Sequence, residues 1–68
     1  MAPQIDTNAL KKAEACTSIA KDLITQAIEQ SAANATLCQE ALLQASGEIK
    51  EAFTLVNQVQ SALQPQQS

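Results

Sequence analysis

Ser31-Ala32-Ala33-Asn34-Ala35-Thr36 stands near the middle of a 68-residue chain that is otherwise rich in helix-forming residues. From Ala9 to Ser46 there is neither glycine nor proline to stop a helix. The fold depends on whether the helix breaks at this stretch. Asn34 is a strong N-cap type, and Thr36 followed by Gln39 has the spacing of a capping box. Asn34 also falls on the apolar side, where an uninterrupted helix would place an apolar residue. Against a break stands the phase of the apolar pattern, which agrees on the two sides of residues 31–35. The preferred reading is all-α: a helical hairpin of two amphipathic helices, at about residues 7–31 and 35–63, that associates into a helical bundle. One long continuous helix is the alternative.

Outward from that stretch, the flanks define the rest. Residues 1–6 contain Pro3 and form a lead-in, and Asp6, Thr7 and Asn8 are all N-cap types ahead of Ala9-Leu10-Lys11. Residues 7–63 form a single helical domain. Pro65 disfavours helix at the residue before it, so residues 64–68 read as a polar tail. Gly47, on the polar face, is a second candidate bend at 46–47. No alternation of period two extends beyond a few positions, which excludes strands.

On a helical projection, one apolar stripe about 100° wide runs from Ile5 to Leu63. Its spacing averages about 3.6 residues per turn, which favours straight or slightly right-handed packing over the left-handed supercoil of a heptad repeat. The stripe is the candidate protein interface. Its first half is Ala13, Cys16, Ala20, Leu23, Ile24, Ala27 and Ile28. Its second is Cys38, Ala41, Leu42, Ala45, Ile49, Phe53, Val56, Val59 and Leu63. The centre is small, and Leu10, Leu23, Ile24 and Ile28 flank it, so two helix backbones can approach closely there. Hydrophobic residues make up 46% of the chain but Phe53 is its one aromatic side chain, and alanine buries little area per residue. So short a chain with so thin a core needs association to be stable.

Several chemistries are disfavoured. The net charge is −3, and Lys11, Lys12, Lys21 and Lys50 form no patch, so nucleic acid is not the expected partner. There is no histidine base or ligand, the carboxylates are dispersed over the polar face, and no glycine-rich loop could cradle a phosphate. We therefore expect no enzyme activity, no catalytic residue, no cofactor, no metal and no small-molecule substrate. Cys16 and Cys38 lie on the stripe 22 residues apart and read as buried small hydrophobes rather than a redox pair. A hairpin turning near residue 33 would set Cys16 opposite about Lys50 and Cys38 opposite about Ile28, leaving them unbridged. No run is long enough to span a membrane, and no secretory leader is visible. The expected location is cytoplasmic, with leaderless export as the other route.

The block from Gln26 to Gln39 resembles the central segment of RebB-like R-body structural proteins. The shared features are its Ala, Asn and Gln richness, the Gln26-Ala27-Ile28 opening, the central Asn34-Ala35 and the following Gln39. It covers 14 of the 68 residues; the first 25 lack that family's lead-in, and Cys38 replaces a small residue. The resemblance implies a structural subunit of a coiled intracellular protein ribbon, with no catalytic residues to carry over. The functional expectation is a self-associating structural or assembly subunit, acting as a homo-oligomer. The alternative is a small acidic adaptor or chaperone that covers one partner protein's helix.

Overall fold

The structure is a computed structural model and describes residues 4–63; the start of the lead-in and the expected polar tail at 64–68 lie outside the described residues. Helix α1 spans Thr7–Gln30 and helix α2 spans Ala35–Leu63. They pack side by side as a hairpin, and the continuous-helix alternative is excluded.

Both helices begin where a short polar side chain satisfies a free backbone donor. The Asp6 carboxylate accepts from the Ala9 amide at 3.0 Å, and the Asn34 side-chain oxygen accepts from the Leu37 amide at 3.0 Å. Asn34 itself, rather than the Thr36–Gln39 pair, therefore starts α2. The reversal is tight. The Gln30 carbonyl accepts from the amides of Ala33 (3.1 Å) and Asn34 (2.8 Å), and the Ser31 hydroxyl donates to the Ile28 carbonyl at 2.8 Å. No described residue has a positive φ, so the turn forms without a glycine. Helix α2 continues through Gly47 without interruption, so the bend considered at 46–47 breaks nothing.

The buried and half-buried positions form a strict ladder. In α1 they are Ala9, Ala13, Cys16, Ala20, Leu23, Ala27 and Gln30. In α2 they are Cys38, Ala41, Ala45, Glu48, Ala52, Leu55 and Val59. Steps of three and four alternate throughout, a mean of 3.5, which is the heptad seam of a coiled coil. This corrects the expectation drawn from the whole stripe: 3.6 describes every apolar residue together, and 3.5 describes those that face the other helix. The two sets are also mirror images about Asn34. Ala9 stands as far before it as Val59 stands after, and the same holds for Ala13 with Leu55 and for Ala27 with Ala41. Cys16, Ala13, Ala52 and Leu55 pack as one cluster, in agreement with that register. The turn thus centres one residue later than expected, which moves Cys16 opposite Ala52 instead of Lys50, and Cys38 opposite Gln30 instead of Ile28. Both cysteines are free thiols.

Among the described residues, seven of the nine in the buried core are alanine, and each alanine contributes roughly one methyl group, about 0.8 kcal/mol at most. Among the described residues no large side chain is fully buried. The Cα positions fit within 55 × 21 × 11 Å, a slab one helix thick. Such a slab has two broad sides, and the chemistry of those sides defines the candidate site.

Candidate functional site

The residues expected to form one interface divide into two surfaces. Ala13, Cys16, Ala20, Ala27, Ala41, Ala45 and Val59 are buried in the hairpin seam, with Leu23 and Cys38 half-buried at its margin. Ile24, Ile28, Leu42, Ile49, Phe53, Val56 and Leu63 lie outside it, exposed by between 38% (Val56) and 68% (Ile28). The small residues of the stripe, with Leu23 and Val59, serve the fold, and the other large ones keep much of their surface exposed.

Those large residues gather on one broad side. Ile24 from α1 and Ile49 from α2 line a single open groove of about 360 Å³, together with Thr17, Ala20, Lys21 and Thr25. Its two threonines do not make it polar. The Thr17 hydroxyl donates to the Glu14 carbonyl (2.7 Å) and the Thr25 hydroxyl to the Lys21 carbonyl (3.1 Å), so both are satisfied by their own helix. Two heptads link the same side lengthwise. Leu42, Ile49, Val56 and Leu63 follow one another at seven-residue steps in α2, and Leu10 stands two such steps before Ile24 in α1. Ile28 and Phe53 each sit one turn beyond the isoleucine of the groove. Among the described residues, eight of the twelve exposed large hydrophobics therefore lie on this side. Leu10 is the one absent from the expected interface; its seven-residue relation to Thr17 and Ile24 was the signal that could have included it.

The opposite side is polar. Its groove is lined by Gln26, Glu29, Gln30, Leu37, Glu40, Ala41 and Gln44. Asp22 is seven residues before Glu29, and Glu51 is seven after Gln44, which puts four of the seven acidic residues on this side. The apolar side carries only Glu14 and Lys21, one heptad apart. Leu43, off the stripe, is an isolated exposed leucine.

One donor cluster spans the seam. The Cys16 thiol and the carboxylates of Glu48 and Glu51 have their donor atoms within 4.8 Å of one another. Sequence spacing does not reveal this group because it forms only once the helices pair across the turn. Burial pushes the Cys16 thiol above its ordinary value, and the Glu48 carboxylate as acceptor and the charge of Glu51 add to it, with Lys12 opposing. Without a bound cation, that favours the protonated thiol, the reverse of what nucleophilic chemistry at this sulfur needs. The Glu48 and Glu51 carboxylates thus act here to hold a proton on a packed sulfur.

Comparison of the chain with protein-family models, curated proteins and solved structures finds no match. No described helix is long and apolar enough to cross a membrane.

Proposed function

We propose that this chain is a non-enzymatic helical building block, a structural or assembly subunit that self-associates in the cytoplasm. One observation carries the reading: the hairpin uses its alanines to hold itself together and leaves eight large hydrophobics on a single side. Scattered exposed leucines are ordinary, but a contiguous patch of this kind marks a surface that meets protein. The absence of histidine and of a glycine-rich phosphate loop supports the non-enzymatic part. The likeness of residues 26–39 to the RebB-like segment points the same way, toward a protein whose role is assembly.

The test is concentration dependence. An obligate oligomer loses thermal stability on dilution, as mass action requires. A melting temperature that is constant over a hundredfold dilution, with a single-chain mass in sedimentation, would remove the reading. A second reading draws on the same groove between Ile24 and Ile49. Open and apolar, it fits the stripe of a partner's amphipathic helix, as in a small adaptor or chaperone. A folded monomer that gains stability only with an added amphipathic peptide would favour that reading over the first.

A further inference from the structure

We infer that the occupant of the apolar side is the same side of a second copy, so that two hairpins close face to face into a four-helix bundle. The inference rests on the self-association reading and adds the surface, the symmetry and the number of copies.

Area is the first argument. Eight side chains, each about half exposed, offer on the order of 600–700 Å² per copy, near the ~800 Å² per partner of a standard interface. A pair of equal faces therefore reaches the size that a stable complex needs, with Phe53, 66% exposed, as the largest anchor.

Charge is the second. Face to face, the carboxylates of Asp22, Glu29, Glu40 and Glu51 stay on the two outer sides, in water and far from each other. Face to back, the apolar side of one copy, with Ile49 and Phe53, would meet the acidic side of the next, and its single Lys21 would be set against the four carboxylates that lose water there. The apolar side itself carries one acid and one base, Glu14 and Lys21, so two copies bring no excess of either sign together.

Symmetry follows from these two arguments. An isologous pair uses one patch on each copy and leaves no second patch to continue from, so assembly stops at two. On the other broad side the exposed hydrophobics Ile19, one heptad before Gln26, and Leu37, one heptad before Gln44, stand apart among glutamines and carboxylates.

Sedimentation equilibrium of the full chain, from micromolar to millimolar, tests this beside Phe53→Glu and Leu37→Glu, with helicity followed by circular dichroism. The expected wild-type mass is that of two 7.2 kDa chains, with no larger species as concentration rises. Phe53→Glu should raise the dissociation constant by about tenfold or more, because an unpaired carboxylate resists burial. Leu37→Glu, on the polar side, should leave it unchanged. A wild-type mass that grows with concentration, or settles above two chains, overturns the closed pair while self-association stands. Equal weakening by both variants shows that the apolar side is not the interface, again with self-association intact. A single-chain mass throughout removes the inference and the proposed function together. The wild-type mass decides the copy number even if a variant loses its helices.

Discussion

Cys16 and Ala52 pack against each other at equal distances, counted in residues, on either side of Asn34. Their pairing matches the register of the hairpin, and the buried alanines along the rest of the seam share that register. Enlarging a seam alanine should therefore be felt along the whole contact. Ala45, 2% exposed, is the most buried residue of the seam, and Ala20 lies on the same ladder in α1. Ala45→Leu or Ala20→Leu should destabilise the protein by about 1–3 kcal/mol, and exposed Ala15→Leu by less than about 0.5 kcal/mol. Urea unfolding at one fixed protein concentration measures the difference, and equal midpoints for all three variants would contradict the seam.

Gly47 is the one glycine of the chain, and its φ is not positive. A methyl group there would meet nothing within 4 Å. Gly47→Ala should accordingly stabilise the protein by up to about 1 kcal/mol through helix propensity and a less flexible unfolded chain. An unchanged or lower urea midpoint would show that the glycine is needed for its conformation.

The two caps make a matched pair of tests. Asn34→Ala and Asp6→Ala each remove a side-chain acceptor from a helix start, at a cost of about 0.5–2 kcal/mol, while Asn34→Gly should cost only a few tenths. Thermal melts at equal concentration give the order. If Asn34→Ala leaves the melting temperature unchanged, the side-chain oxygen is not what caps α2.

These caps also mark how far the sequence can be read. Asn34 announces the second helix because a short polar side chain inside an apolar stripe is hard to place in any other way. The continuous-helix alternative arose from the matching phase of the two halves, yet a chain that reverses has no need of phase continuity, so the agreement had no bearing. The division of the stripe was harder to foresee. A stripe about 100° wide is broader than the seam that one neighbouring helix covers, and periodicity alone does not say which edge turns inward. Residue size was the clue, but an incomplete one: Leu23 resembles the flanking Ile24, and the structure puts it at the seam margin, half-buried. The carboxylates beside Cys16 come from α2 and are invisible to any local pattern.

The Cys16 thiol ties stability to alkaline pH. Its folded value is raised by burial first, then by Glu48 and Glu51, whereas the unfolded chain ionises at the ordinary 9.0. Above that pH the folded state keeps a proton that the unfolded state has lost. The contribution is fully present below pH 9.0 and is lost as pH rises through the folded value. Melting temperature should fall more steeply above pH 9.0 in the wild type than in Cys16→Ala, which lacks only the buried thiol. Parallel curves would remove the buried thiol as the cause.

Accessibility separates the two thiols under gentler conditions. Cys38 is half-buried near the turn, whereas Cys16 is buried in the seam. A maleimide at neutral pH should modify Cys38 first and Cys16 only as fast as the hairpin opens. Peptide mapping after brief labelling reads this directly, and equal rates would mean that the seam gives the sulfur no protection.

A slab one helix thick has a calorimetric consequence. Denaturant slopes and heat-capacity changes scale with the surface that unfolding exposes, and a hairpin with no fully buried large side chain among its described residues has little to expose. Alone, it would melt broadly, over tens of degrees, with a nearly flat heat-capacity baseline. Once its apolar side is covered, the same 68 residues would unfold in a sharper transition with a larger heat-capacity step, so the shape of the endotherm reports association as well as its midpoint does.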